Sequence, residues 1–168
     1  MLPFQDPAYR LSGTDISNIL KHCRLCFNIT NKGQQIIDFK LLTSLKIQKK
    51  KKNAIILHAY QHWHLILIFN NHDAVLIDPL NTVQFSHPDV MQTILTFCKE
   101  NSLFLHLFDC RHQSQTTNIC GYLILWSLFK ATKLSFSSFM KLKQTILLNN
   151  ISTNERGMIY AVKRHFKL

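Results

Sequence analysis

Four side chains that together could run thiolate chemistry occur in the order His62, Asp78, Gln113, Cys120. A cysteine attacks a carbonyl as its thiolate. It therefore needs an imidazole partner, a group that orients the imidazole, and donors for the oxyanion of the tetrahedral intermediate. His62 would form the ion pair, and the Asp78 carboxylate would accept from the other imidazole nitrogen. The Gln113 amide, with backbone N–H groups near Cys120, would bind the oxyanion. Cys120 opens a strongly apolar run to Thr132, which reads as a buried helix capped by Thr117 or Asn118. A thiol at such a helix start meets the positive end of the macrodipole and unsatisfied backbone donors, and both favour the thiolate. Gly121, directly behind it, has no side chain and would let a substrate backbone approach closely. An arbitrary buried cysteine is usually structural, so the weight rests on the other three residues and their order.

In order and spacing, His62-Trp63, then Asp78-Pro79-Leu80, then Gln113 followed after six residues by Cys120-Gly121 resemble the adenovirus maturation protease (adenain) family of cysteine proteases, which includes the proteases of Polinton-like viruses. The SUMO-specific, Ulp-type proteases are more distantly similar. Their glutamine usually lies one residue nearer the cysteine, where this chain has Ser114, and an Asp usually precedes the cysteine, where it has Ile119. The resemblance covers residues 54–132 well. Asn154, Tyr160, Arg164, His165 and Phe166 extend it loosely into a last helix.

That resemblance implies an α+β fold of the adenain/Ulp type: a central, mostly antiparallel sheet of about five strands packed by helices, with the nucleophile at a helix N-terminus. It implies a monomeric endopeptidase that cleaves viral capsid and core precursor proteins during virion maturation, often after small residues such as Gly-Gly or Gly-Ala, in the virion and the host nucleus. The chemistry itself needs no cofactor. The adenovirus enzyme uses DNA and a short activating viral peptide, the peptide through a disulfide to a cysteine upstream of the glutamine. Cys98 and Cys110 stand at other spacings here. Trp63 corresponds to the family's aromatic residue beside the catalytic histidine and would wall the substrate cleft.

Rival assignments are weaker. His64 shares a strand face with His62, about 7 Å further along, and the following Trp63 is what singles out His62. His58, His72, His87, His106 and His112 have no comparable context. Asp109 and Gln115 miss the family spacing. Cys23-Arg-Leu-Cys26 has the spacing of half a zinc site, but no second pair follows, so no metal site is expected. A cysteine phosphatase would need an arginine where Trp126 stands, and a papain-type enzyme would place its cysteine before its histidine.

The elements that must hold these residues are legible in outline. Thr14 or Asp15 would cap a first helix carrying Ile16, Ile19, Leu20, Cys23 and Phe27. Residues 54–60, 62–69 and 74–78 read as adjacent strands, the middle one covered on both faces, with the 70–73 turn bringing His62 and Asp78 side by side. Pro88 starts a helix with Val90, Met91, Ile94, Leu95 and Cys98 as its apolar stripe. A further strand spans 103–108, and helices follow near 136–148 and 154–166. Residues 34–46 fit no single pattern.

With 168 residues and 46% hydrophobic content, the chain is long and apolar enough for a single domain over residues 1–168, and disorder is excluded. No apolar run approaches the ~20 residues of a membrane helix, and Pro3, Asp6 and Pro7 do not fit a secretory signal. Five irregularly spaced cysteines favour free thiols over a disulfide framework. The net charge of +11 suits a polyanionic partner. Lys141, Lys143, Lys163, Arg164 and Lys167 are candidate contacts for sequence-independent DNA binding, and Lys49–Lys52 reads as a solvated loop. The alternatives to a maturation endopeptidase are a non-catalytic, basic nucleic-acid-binding virion protein on a degenerate protease fold, and a ubiquitin-like-protein isopeptidase.

Overall fold

A computed structural model describes residues 10–21, 28–29, 36–80, 86–108, 119–146, 160 and 162–164. Its elements are α1 (Gly13–Lys21), β1 (Asn28–Ile29), β2 (Ile36–Asp38), a 3-10 helix (Phe39–Ser44), β3 (Asn53–Ala59), β4 (His62–Ile68), β5 (Asp73–Ile77), α2 (Pro88–Glu100), β6 (Phe104–Leu107), α3 (Cys120–Lys133) and α4 (Phe136–Ile146). Residues 34–46, ambiguous in pattern, supply β2 and the 3-10 helix. Tyr160 and residues 162–164 are helical, and Val162 is buried in the core.

The fold is α+β, but the sheet is mixed rather than mostly antiparallel. β3, β4 and β5 form an antiparallel centre, flanked by parallel partners: β1 and β2 successively along β3, and β6 along β5. The reason is connection length. A hairpin reverses the chain between β3 and β4, whereas α2 carries it back over the sheet so that β6 enters in the direction of β5.

Two residues in left-handed conformation, Tyr60 (φ 47°) and Gln61 (φ 61°), make the β3–β4 turn. Positive φ at both central positions matches the twist of the flanking strands and fixes register. Ala59 therefore pairs with His62, and Asn53 with Ile68. β4 is covered on both faces as its apolar run predicts. Trp63, Leu65 and Leu67 enter a core with α1, α3 and Phe139 of α4, while Ile66 and Ile68 enter a second core with α2 and the 3-10 helix. By alternation His62 and His64 share the parity of Ile66.

Three local expectations are corrected. Ser12, not Thr14 or Asp15, caps α1: the Asp15 backbone N–H donates to Ser12 Oγ, and Asp15 Oδ2 accepts from the Ser12 N–H at 2.8 Å, a reciprocal capping box. On α2, Leu95 is exposed and Phe97 is buried in its place, because positions 90, 94 and 97 follow the helical period. On α3, the cap is Ile119, with no side-chain cap hydrogen bond; Thr117 and Asn118 lie outside the described residues.

Lys49, Lys50 and Lys51 are exposed, as a solvated loop requires. Lys52 instead reaches the Leu134 carbonyl at 3.1 Å. Buried Asn53 braces this turn: its amide donates to the carbonyls of Gln48 and Lys51, and its Oδ1 accepts from the Gln48 N–H. Among the described residues no helix is long and apolar enough to cross a membrane. Asn53→Ala should lower unfolding free energy by about 2 kcal/mol, because it removes the three hydrogen bonds by which the Asn53 side chain holds the 48–51 turn; urea denaturation measures this.

Candidate active site

His62 is the first residue of β4, directly after the hairpin turn, and Asp78 follows the last residue of β5. Because β4 and β5 are antiparallel neighbours with Leu65 opposite Ile77, Asp78 lands beside the start of β4. His62 Nε2 donates to Asp78 Oδ1 at 3.1 Å. The same oxygen accepts the Leu80 backbone N–H at 3.1 Å, so the carboxylate is held by the turn that follows it.

Cys120 is the first residue of α3, and its thiol lies close enough to His62 for each to shift the ionisation of the other. With Nε2 committed to the carboxylate, Nδ1 is the ring nitrogen left for the sulfur. The Trp63 backbone N–H also favours the Cys120 thiolate. In the first turn of α3, backbone donors carry no side-chain cap, which leaves N–H groups beside the sulfur for an incoming acceptor.

Electrostatics separate the groups. Burial works against a charged His62, but its hydrogen bonds to Asp78 and Cys120, with the charges of both, push it up to about 9. Burial also works against a Cys120 thiolate. The hydrogen bond and charge of His62, the Trp63 N–H and the charge of Arg10 outweigh it and lower the thiol below its ordinary range. The pair is thus biased toward thiolate and imidazolium together. By contrast, burial raises the thiol of Cys98, in α2, to about 11. Cys98 and Cys120 are both unpaired.

His64 lies on the same strand face, with its ring in edge contact with His62 at 4.8 Å between centroids. Burial pushes it down to about 3. Its Nε2 is 3.8 Å from Asp78 Oδ1, beyond hydrogen-bond reach. Two histidines on one strand face thus share one carboxylate, and one of them is held charged against the thiol.

Trp63 is buried, donates its indole N–H to the Leu11 carbonyl at 3.1 Å, and packs against His58. With Arg10, Leu11, Ser12, His58 and Gln61 it lines a cavity of about 470 Å³, and His62 stands between Gln61 and Trp63 in the chain. What closely approaches Gly121 here is Leu11: a Cβ on Gly121 would lie 2.9 Å from the Leu11 Cβ. The segment before α1 is therefore seated against the helix that Cys120 begins and hung from Trp63. Neither Arg10 nor Leu11 could be found from sequence, because each lies more than a hundred residues from Cys120 and belongs to no motif.

Gln113 lies outside the described residues, as do Cys23, Cys26, Asp109, Cys110 and Lys167, together with the side chain of Lys143. Lys141 and Arg164 are exposed, and Lys163 is half-buried. The chain matches no protein-family model, and no curated protein matches it.

Two outcomes follow from this geometry. NMR titration of His62 should show the ring protonated until pH nears 9 in the wild type, with its titration moved toward the ordinary value of about 6.5 in Asp78→Asn. Because folding raises this value, the stability it adds is complete below pH 6.5 and is lost as pH rises through about 9. Gly121→Ala should destabilise the fold by about 1–3 kcal/mol by forcing Leu11 off α3, as read from urea unfolding.

Proposed function

We propose that this chain is a cysteine endopeptidase that processes viral capsid and core precursor proteins during virion maturation. The observation that carries the reading is His62 held between the Asp78 carboxylate, at 3.1 Å, and the thiol of Cys120 at the start of a helix. The sequence resemblance to the adenain family supplies the substrate class, and the adenain/Ulp-type fold is part of the same proposal.

The chemistry follows from the arrangement. The Cys120 thiolate attacks the scissile carbonyl carbon, and the oxyanion that forms takes backbone N–H groups at the start of α3, with Gln113 as the side-chain donor the resemblance implies. His62, as imidazolium, gives its proton to the leaving amine, and a thioester to Cys120 remains. Neutral His62 then takes a proton from water as the water attacks the thioester, and collapse releases the acid and the thiolate. Asp78 keeps the imidazole oriented and supports its charge. The cavity walled by Trp63 is the place for substrate side chains next to the scissile bond. DNA, held through surplus basic charge such as that of Lys141 and Arg164, is the stimulating partner, and the viral peptide cofactor stays with the resemblance.

A Gly-Gly-containing peptide library incubated with the full chain, with and without DNA, and read by mass spectrometry tests the proposal. Specific cuts should appear and should fall by about 10⁴-fold or more in Cys120→Ala, with circular dichroism unchanged. Undiminished cutting by that variant, or no cutting under any condition by a chain whose Cys120 alkylates rapidly, would sink the reading.

A further inference from the structure

His62, His64 and Asp78 bring two ring nitrogens and a carboxylate oxygen within 4.8 Å of one another. The closer pairs are 3.1 Å for His62 Nε2 to Asp78 Oδ1 and 3.8 Å for His64 Nε2 to the same oxygen. Nitrogen and oxygen ligands about 2.0–2.1 Å from a tetrahedral zinc lie about 3.3–3.4 Å apart. Both pairs with Asp78 Oδ1 stand within about 0.5 Å of that spacing, and the rings would have to turn to bring all three groups, now within 4.8 Å, onto one ion.

A second observation points to the same place. His64 is 1% exposed, and its Nδ1 has no hydrogen-bond partner among the described residues. Its Nε2 falls short of a hydrogen bond to Asp78. A buried imidazole left this way costs free energy; an ion between Nε2 and Oδ1 would give the ring a partner at Nε2, with Nδ1 left as it is. His62, 13% exposed against 4% for Asp78, is the door to solvent.

We propose that His62, His64 and Asp78 form a binding site for a divalent transition-metal ion, with Zn²⁺ the best fit, and that occupancy switches the protease off. Two imidazoles and one carboxylate suit zinc rather than calcium or magnesium, which prefer oxygen ligands. The fourth position is open to water or another donor. On binding, the metal replaces the Nε2 proton of His62, which leaves to solvent. His64 binds through a lone pair, the carboxylate stays ionised, and the occupied trio carries a net charge of +1. A His62 ring bound through Nε2 keeps its proton on Nδ1 and has no lone pair to accept one from water, so thioester hydrolysis stops. The switch rests on the protease reading; the site itself does not.

The test therefore begins without substrate. The full chain is dialysed against Zn²⁺ alone, and retained metal is counted and examined by X-ray absorption. One ion per chain is expected, in a nitrogen and oxygen shell at about 2.0–2.1 Å, with at most one sulfur at about 2.3 Å. Affinity should fall about 10- to 100-fold in His64→Ala and in Asp78→Asn, each checked by circular dichroism. No retained metal, a shell of two or more sulfurs, or unchanged affinity in both folded variants would overturn the site. Peptide cleavage should be lost with Zn²⁺ and restored by a chelator. Cleavage that persists with metal bound would overturn the switch alone, and a chain that binds zinc but never cleaves would overturn the protease reading alone.

Discussion

Asp78 is 4% exposed at the end of the central sheet, and a carboxylate can stay ionised there only where donors replace the water it has lost. Those donors come from both sides. The Leu80 N–H fixes the oxygen from the turn after β5, and His62 meets it from the start of β4. The burial that penalises the carboxylate also strengthens its hold on a charged imidazole, and that charge offsets the cost of a thiolate at Cys120. The three groups are interdependent: each is in an unfavourable place alone and in a favourable one together.

The sheet makes this economy of placement possible. A two-residue turn leaves no slack between Ala59 and His62, and the paired strands β4 and β5 set His62 against Asp78 to within a hydrogen bond. Cys120 arrives from a different layer, on α3, whose first residue meets the start of β4. Leu11, fitted against Gly121 and hung from the Trp63 indole, ties the N-terminal segment into that junction. Chain segments distant in sequence therefore bear on one sulfur.

Much of this arrangement was legible because it is local. Strands 53–59, 62–68 and 73–77 announce themselves as short Ile, Leu and Val runs between polar turns, and Pro88 marks the start of a helix. The trio His62, Asp78 and Cys120 was legible as residue types in an order, with the tryptophan after His62 separating it from His64. What escaped depends on contacts between distant residues. The parallel flanks of the sheet follow from where α2 and the 3-10 helix return the chain, which no periodicity encodes. Ser12 was passed over for Thr14 and Asp15 because capping residues crowd that stretch, and only the reciprocal bond to Asp15 decides among them. The nearness of His64 to the shared carboxylate needed the register of β4 on β5. The seat of Leu11 on Gly121 needed the whole fold.

The two described thiols sit at opposite extremes. Burial in α2 makes Cys98 inert, with its proton held to about pH 11, while Cys120 is activated. Near neutral pH a mild electrophile will therefore discriminate between them by ionisation before shape plays any part. A covalent ligand could be built from a weak warhead and a modest recognition group fitted to the cavity beside Trp63. The selectivity of such a compound would come from the ionic state of the sulfur, and its affinity would need only to place the warhead.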